Sequence, residues 1–309
     1  MKKIIGMRSG ERRRLLTLSI AMVVYIGCTG PEASGPVTGI PVRLALEHLS
    51  SVRAESRNAV SELNGETVAF AAGSSSGTYN EIWESRVSGE EAVPLQARYY
   101  PEDGSRLYLR GYYPMMEPAS NGVVYRLDGS QDLLVSDEQS GCLSDMFWQD
   151  SKKFTFKHLL TQLNIRVRVE EGYPEGACLT RMQIGGSHPE VLLDLNKATL
   201  LAIGEPVVLT IWEPDGTGVL LSGSYTDTPI ATVMLEAGIP LTFFATVSLP
   251  DGTSLDYEAL PIRFIEANSL PRAGVSYTLS VVLNAEKEKL ILSTTVADWT
   301  EKEGGEVEI

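Results

Sequence analysis

Residues 164–169 read Asn164-Ile165-Arg166-Val167-Arg168-Val169, so polar and β-branched residues alternate strictly along this stretch. Successive side chains of a β-strand point to opposite faces, and a period of two therefore predicts a strand with one buried and one solvated face. Other alternating or β-branched runs recur along the chain. They span residues 67–70, 106–110, 207–211, 241–247, 277–283 and 290–296. Together these runs predict an all-β fold.

Short turns are predicted by six dipeptides in which Asn or Asp precedes Gly. Residues that accept a positive φ favour tight hairpins between antiparallel strands. The dipeptides are Asn64-Gly65, Asp103-Gly104, Asn121-Gly122, Asp128-Gly129, Asp215-Gly216 and Asp251-Gly252. One stretch has helical spacing instead, because Phe156, Leu159, Leu160 and Leu163 would share a helix face. It predicts one or two helical turns before the strand at Ile165.

The first 27 residues have the pattern of a secretory signal segment. Six basic side chains lie within residues 1–14, and residues 15–26 carry no charge. Twelve helical residues span only about 18 Å, well short of a bilayer core of about 30 Å, so a targeting segment is predicted. Gly27-Cys28 then resembles a bacterial lipobox, which predicts cleavage before Cys28 and attachment of lipid to its thiol. The alternative is an ordinary secreted cysteine.

The rest of the chain is long enough for two domains. Residues 28–39 are rich in Gly, Pro, Ser and Thr, which is typical of a flexible tether. About 280 residues follow the signal peptide of residues 1–27, and this length exceeds one typical domain. We therefore expect two β-sandwiches in series, over residues 40–150 and 151–309.

The charge of the chain is strongly acidic. Lys and Arg number 26 against 40 Asp and Glu, which gives a net charge of −14. Loss of residues 1–27 removes six basic side chains and one acidic one, and so shifts the net charge from −14 to −19. Such a field repels phosphate backbones, so the sequence predicts no nucleic-acid partner.

Cys142 and Cys178 are the thiols that remain once Cys28 is lipidated. Export to an oxidising compartment makes a disulfide between them one interpretation, and two small buried apolar residues the other. The three histidines are scattered and no CxxC motif is present, so no metal site and no cofactor are predicted.

Six short motifs follow the lipobox in order, over about 200 residues. They are Tyr99-Tyr100-Pro101-Glu102-Asp103-Gly104, Gly111-Tyr112-Tyr113-Pro114, Gln131-Asp132-Leu133-Leu134-Val135, Phe156-Lys157-His158-Leu159-Leu160-Thr161-Gln162-Leu163, Gly274-Val275-Ser276-Tyr277-Thr278-Leu279 and Val296-Ala297-Asp298-Trp299. In these motifs the chain resembles the fimbrillin-like (Mfa-like) family, the pilin and pilus-associated lipoproteins of Bacteroides-type bacteria.

The resemblance implies a lipid-anchored protein of the outer membrane or cell surface with two tandem transthyretin-like, Greek-key β-sandwich domains. It also implies a structural or adhesive role in a pilus, other pilus subunits as partners, and a ligand on a host or bacterial surface. Assembly would proceed by strand exchange. An Arg-directed protease removes an N-terminal strand, and a strand from another subunit fills the vacated groove.

The sequence contains candidates for the removable strand and for the cleavage site. Apolar residues alternate with other residues after the tether, so one apolar face could lie in a groove. These apolar positions are Ile40, Val42, Leu44 and Leu46. Arg53 and Arg57 follow, and cleavage after either would release the strand together with its lipid. The alternative is an ordinary first strand that stays in its own sheet.

The C-terminus supplies the candidate donor strand. Two sets of apolar residues alternate there, in the last predicted strand and at the end of the chain. They are Leu290, Leu292 and Val296, followed by Val307 and Ile309.

No motif points to catalysis. Residues 73–77 fit the GxSxG pattern, but that pattern needs a strand, a strained elbow and a helix, whereas residues 78–83 read as another strand. A loop is therefore predicted there, and the chain is not expected to be an enzyme. The alternative function is a surface lipoprotein that binds a glycan or host ligand without polymerising. Its aromatic side chains could stack on sugars, although packing in a core is the favoured interpretation.

Overall fold

The computed structural model describes residues 39–47, 63–118, 122–226, 228–265, 270–284 and 289–298. These ranges contain twenty β-strands and one short 3-10 helix, Asp150–Lys152. In chain order the strands are β1 (Leu44–Ala45), β2 (Thr67–Gly73), β3 (Glu81–Ser88), β4 (Glu91–Pro94), β5 (Leu107–Tyr113), β6 (Val123–Arg126), β7 (Leu134–Ser136), β8 (Gln139–Gly141), β9 (Phe156–His158), β10 (Leu160–Val169), β11 (Cys178–Ser187), β12 (Glu190–Asp194), β13 (Thr199–Ile203), β14 (Val207–Trp212), β15 (Val219–Leu220), β16 (Ala231–Glu236), β17 (Thr242–Ser248), β18 (Ser254–Pro261), β19 (Val275–Leu283) and β20 (Leu290–Asp298).

Hydrogen bonding joins these strands into four sheets. The N-terminal sheet has eight strands in the order β1-β4-β3-β2-β5-β7-β9, with β8 also paired to β5. A three-stranded sheet has the order β13-β12-β6. The last two sheets are β16-β10-β19-β20 and β14-β11-β17-β18, with β15 also paired to β11. Of the strand pairs in the described ranges, only β10 and β19 run parallel, in a register that pairs Leu163 with Tyr277.

The last two sheets enclose one apolar core, which we call the sandwich core. Ile165 and Val167 on β10 are buried in it, whereas Arg166 and Arg168 lie on the opposite face and are half-buried. The facing sheet contributes residues such as Ile184 on β11. This in-and-out pattern confirms the alternation in residues 164–169, and the all-β prediction is correct.

Strand β2 is buried on both faces and separates two further cores. Val68, Phe70 and Ala72 pack into the first, the groove core, whereas Ala69 and Ala71 pack into the second, the junction core. Both cores draw on several strands. The groove core also contains Val42, Leu44, Leu46, Leu63, Trp83, Val87, Ala92, Tyr100, Leu109, Leu134, Phe147, Phe154 and Phe156. The junction core also contains Tyr112, Val123, Tyr125, Leu127, Leu133, Val135, Leu160, Val191, Leu193, Leu195 and Met234.

The helix predicted from the spacing of Phe156 and Leu163 is wrong, because β9 and β10 occupy these residues. Thr161 and Gln162 are 1% and 2% exposed even though they are polar. The Thr161 hydroxyl donates to the carbonyl of Val275, and Gln162 Oε1 accepts from the Ser276 hydroxyl. Since the start of β10 is buried on both faces, its sequence lacks the alternation of a half-exposed strand.

Of the Asx-Gly dipeptides that the structure describes in full, only Asp251-Gly252 joins two strands that pair with each other, β17 and β18. The carboxylates of Asp103, Asp128 and Asp251 each accept the backbone N–H two residues later, at 2.8–2.9 Å. This Asx-turn needs no neighbouring strand, so the dipeptides mark turns without specifying hairpins.

The division into two tandem domains at residue 150 stays a prediction. Strand β9 at Phe156–His158 pairs with β7 of the N-terminal sheet, and β6 pairs with β12. Backbone hydrogen bonds thus connect residues on both sides of the predicted boundary.

Candidate functional site

Residues 40–47 lie in a groove of the N-terminal sheet, and β4 with the chain that follows it forms one wall. Strand β1 pairs with β4 through Leu44 opposite Ala92. The Val42 N–H donates to the carbonyl of Arg98 at 2.7 Å, and the Leu46 N–H donates to that of Glu90 at 2.8 Å. This side of the segment is therefore hydrogen-bonded over most of its length.

Residues 147–154 form the opposite wall of the groove. The Ala45 N–H donates to the carbonyl of Phe147 at 3.4 Å, and the Ala45 carbonyl accepts from the Phe154 N–H at 2.9 Å. The Glu47 N–H donates to the Phe154 carbonyl at 3.1 Å, and Leu46 and Phe154 form a parallel bridge. Segment 40–47 is therefore held by backbone hydrogen bonds on both of its edges.

The alternating side chains of the segment enter the groove core. Val42, Leu44 and Leu46 are 3%, 0% and 4% exposed, whereas Ile40 is 47% exposed. The predicted set of four apolar positions thus contains three core residues and one surface residue. The side chain of Ile40 is on the surface, but its carbonyl accepts the Tyr100 N–H at 3.2 Å, so the backbone of the segment is already hydrogen-bonded at its first residue.

Aromatic rings form the floor of the groove. The ring of Phe154 lies edge-on to Phe70 at a centroid distance of 5.0 Å, and Phe147 stacks on Tyr100 at 5.9 Å. The Tyr100 hydroxyl accepts the Phe147 N–H at 2.8 Å. Burial raises the pKa of Tyr100, so the phenol stays neutral. The sequence prediction missed Phe147 and Phe154, because they lie about 100 residues after the strand that they contact.

Several predicted site residues lie outside the described residues. These are the lipidation site Cys28, the cleavage sites Arg53 and Arg57, and the donor residues Val307 and Ile309.

The remaining donor candidates lie in β20, which pairs with β19 from Leu290 to Asp298. Leu290 and Leu292 pack partly against the sandwich core, and Val296 is 37% exposed. This strand is therefore already an edge strand of its own sheet.

Cys142 and Cys178 are both free thiols in the structure, so the disulfide interpretation is not supported. Cys142 lies at the end of β8 in the N-terminal region, and its sulfur contacts the Ser144 hydroxyl at 3.3 Å. Cys178 begins β11 in the sandwich. Cys142 thus directly follows a strand of the N-terminal sheet, whereas Cys178 is in the sheet of β14, β11, β17 and β18.

The GxSxG-like residues 73–77 form the loop between the paired strands β2 and β3, as predicted. Glu138 holds this loop, because its carboxylate accepts the Ser76 hydroxyl at 2.6 Å, the Gly77 N–H at 2.9 Å and the Tyr79 hydroxyl at 2.5 Å. Partial burial opposes ionisation, but these hydrogen bonds keep the pKa of Glu138 below its ordinary value. The serine at the centre of the pattern, Ser75, forms a bridge with Thr78, and strand β3 follows it in place of a helix.

The aromatic side chains considered for sugar stacking differ in exposure. Trp83, Tyr100 and Tyr112 are 4%, 2% and 0% exposed, whereas Tyr99 and Trp148 are 36% and 54% exposed. In the described ranges, no cluster of three or more His, Cys, Asp or Glu side chains could hold a metal ion. None of the described residues belongs to a helix with the length and apolar character that crossing a bilayer requires.

Comparison with known proteins identifies the family of this chain. A family model described as fimbrillin-like matches residues 64–299. The chain belongs to the fimbrillin-like family. The matched region of this fimbrillin-like protein contains both walls of the groove and the two sheets that enclose the sandwich core.

Individual relatives are similar over almost their whole length. A protein of Bacteroides uniformis described as a candidate fimbrium subunit, Fim1C, is 24% identical over 323 residues, which cover 96% of this chain and 97% of the relative. A crystal structure of a candidate cell adhesion protein from Bacteroides uniformis has a TM-score of 0.54 at 17% identity, and covers 84% of this chain and 98% of its own. A second one, from Bacteroides ovatus, has a TM-score of 0.53 at 11% identity, with coverages of 86% and 99%. The two structures support the same fold.

Proposed function

We propose that this fimbrillin-like protein is a non-catalytic subunit or accessory protein of a surface fimbria, assembled by replacement of its own segment 40–47. The similarity to a candidate fimbrium subunit over almost the full length supports the fimbrial role. The observation that carries the mechanism is the groove, because segment 40–47 is hydrogen-bonded on both edges and inserts three side chains into a core.

The groove is costly to leave empty. Burial of Val42, Leu44 and Leu46 contributes about 1.5–3 kcal/mol each as an upper estimate. The backbone hydrogen bonds add about 1 kcal/mol apiece. Together these terms are comparable to the whole stability of a typical domain. A subunit that has lost the segment therefore exposes apolar surface and unpaired backbone groups, and a strand from another molecule is strongly favoured to replace it.

Proteolysis would create this state. Cleavage after Arg53 or Arg57 separates the groove-filling segment from the rest of the chain, and the lipid on Cys28 leaves with it. One cut would therefore release the subunit from the outer membrane and open its groove. An uncleaved molecule would keep both the anchor and the segment, as expected of an anchoring or accessory protein at the cell surface.

The donor strand is proposed to come from the C-terminus of a second subunit. Leu290, Leu292 and Val296 are engaged in β20, so donation by them would require β20 to leave its own sheet. Val307 and Ile309 follow that strand and repeat its alternation. We therefore favour the last residues of the chain as the inserted part.

The test uses the full chain and an Arg-specific protease. We expect cleavage after Arg53 or Arg57, followed by a ladder of oligomers on a non-denaturing gel. The matched control is the double variant Arg53→Lys with Arg57→Lys, which keeps both charges and resists the protease. An excess of a synthetic peptide with the sequence of residues 289–309 should suppress the ladder. A chain that is cut as expected but stays monomeric would refute strand exchange, and a chain that resists the protease would refute the cleavage step.

A further inference from the structure

A cleft of about 780 Å³ lies beside the junction core, between the start of β3 and the β12–β13 hairpin. Its volume is within the range of about 300–1,000 Å³ that is typical of ligand sites. The cleft is separate from the groove that holds residues 40–47, and its lining includes no residue of that segment. It therefore calls for an explanation of its own.

One wall and the rim of the cleft are lined by hydrogen-bond acceptors. Asn80 and Glu81 belong to the β3 side, and Asp194 and Asn196 to the hairpin. Among the residues that the structure describes, no hydrogen bond engages the side-chain amides of Asn80 and Asn196. Glu81 Oε2 accepts from Trp83 Nε1 at 2.9 Å and also pairs with Arg98 at 3.4 Å, so Oε1 is the oxygen of this carboxylate that is left for a ligand. The cleft thus offers two amides, Glu81 Oε1 and Asp194 Oδ2 to groups that can both donate and accept, although Lys197 Nζ also lies 3.4 Å from Asp194 Oδ2.

The rest of the lining is apolar. Ile82 packs half-buried against the junction core, Leu192 is half-buried, and Leu201 on β13 is 44% exposed. Tyr79 also lines the cleft, and its hydroxyl is already hydrogen-bonded to Glu138. Its ring therefore contributes mainly its apolar surface. A ligand with an apolar face and polar edges matches such a lining.

Both walls are fixed before any ligand binds. On the β3 side, Glu138 anchors the preceding loop through three hydrogen bonds, and Arg110 Nε donates to the Tyr79 hydroxyl at 3.2 Å. On the hairpin side, Asp194 Oδ1 accepts the N–H groups of Asn196 and Lys197 at 2.9 and 3.1 Å. Partial burial of Asp194 opposes ionisation, but these bonds keep the pKa of its carboxyl below the ordinary value. A preformed site loses less conformational entropy on binding.

Charge restricts the ligand class. No lysine or arginine is among the described residues that line the cleft, and the cations beside it, Arg98 and Lys197, pair with Glu81 and Asp194 at 3.4 Å each. Because these cations are paired with carboxylates and the chain as a whole is acidic, anionic ligands are disfavoured. A bare metal ion lacks the cluster of three ligating side chains that it would need within the described residues. The ligand class that fits the cleft is therefore neutral molecules rich in hydroxyl groups. Each hydroxyl can donate to a carboxylate or an amide oxygen and accept from an amide N–H.

We propose that this cleft binds a neutral oligosaccharide, with Asn80, Glu81, Asp194 and Asn196 holding its hydroxyl groups and the apolar lining contacting its C–H faces. This site goes beyond the fimbrial role and does not depend on strand exchange. A monomeric, uncleaved chain would bind as well as an assembled one.

The test screens the uncleaved full chain in a zwitterionic detergent that carries no sugar. It uses a printed array of neutral tri- and tetrasaccharides of glucose, galactose, mannose and N-acetylglucosamine. The tightest binder is then titrated by calorimetry. We expect Asn80→Ala and Asn196→Ala each to weaken binding by between about twofold and tenfold, the value of one hydrogen bond. Gln96→Ala is the matched control, because it removes an exposed amide outside the cleft. It should leave binding unchanged.

The outcomes separate the alternatives. Absence of binding to every printed sugar at millimolar concentration would overturn the proposal. So would binding that both cleft variants leave unchanged. A parallel array of neutral peptides provides the third outcome, since peptide binding that depends on Asn80 and Asn196 without any sugar binding would show a peptide site instead. Unchanged circular dichroism of each variant establishes that the fold is intact.

Discussion

Replacing Leu44 by alanine should destabilise the protein strongly, whereas the same replacement four residues earlier should not. Leu44 is 0% exposed in the groove core, and Ile40 is 47% exposed at the start of the same segment. Truncation of a buried leucine to alanine costs about 2–5 kcal/mol, more where the surroundings cannot collapse into the cavity. The rings of Phe147 and Phe154 are 0% exposed and pack against each other, so we expect a loss of about 3–4 kcal/mol for Leu44→Ala. For Ile40→Ala we expect less than about 1 kcal/mol.

The assay is urea unfolding of the uncleaved chain, followed by circular dichroism. An m-value of about 3 kcal/mol/M is at the upper end of the range for small proteins. With that value, the midpoint for Leu44→Ala should fall by about 1 M. Ile40→Ala should stay within about 0.3 M of the unmodified protein. Hydrogen exchange of the peptide 39–47 adds a local measurement, since the amides of the segment should lose protection in Leu44→Ala alone.

Equal midpoints for the two variants would refute the placement of this segment in the groove. A large effect of Ile40→Ala would show that the segment is displaced by two residues, because Ile40 shares a strand face with Val42 and Leu44, and only an even shift keeps that face in the groove.

Three further predictions concern other parts of the fold. Glu138→Gln should lower the stability by up to about 1 kcal/mol at pH 7 and have little effect at pH 3. A carboxylate whose pKa is lowered in the folded protein stabilises the fold above its ordinary pKa of 4.5, and this contribution is lost as the pH falls through the lowered pKa. Urea midpoints at the two pH values test this. Gly111→Ala should cost about 1–3 kcal/mol of stability, because the added Cβ would lie 2.5 Å from the ring of Phe156. Gly223→Ala should be nearly neutral by the same assay, because its Cβ would lie 4.0 Å from the carbonyl oxygen of Val169. Without reductant, Cys142 and Cys178 should both be alkylated after unfolding, and a mass that shows a protected pair would contradict the free thiols.

The sequence predicted the strands of this protein better than their partners. Alternation located β10, β19 and β20 correctly, because each has one face on the sandwich core and one face away from it. It could not predict that β10 and β19 run parallel, since parallel pairing joins residues more than 100 positions apart and leaves no local spacing. Alternation failed at Thr161 and Gln162, where polar residues are buried by hydrogen bonds to the neighbouring strand.

The candidate sites were predictable only in part. The alternation of Val42, Leu44 and Leu46 was sufficient to propose a strand with one apolar face. The residues that complete the groove, Phe147 and Phe154, resemble any buried aromatic residues in the sequence. The cleft is less predictable still, because its two walls are more than 100 residues apart and its anchor Glu138 lies 62 residues from Ser76. Long-range contacts of this kind are set by topology, which no local pattern records.

The hydrogen bonds on both edges of segment 40–47 also determine how the groove responds to mechanical load. Backbone hydrogen bonds in a sheet lie roughly across the strand direction. Tension applied along a strand in this position therefore acts on all of these bonds at once, as a shear force, and does not open them one after another. The whole set must break in one event, together with withdrawal of the side chains at positions 42, 44 and 46. A strand seated in this groove is consequently far harder to pull out lengthwise than to peel from one end, which suits a connection between subunits that must hold under flow.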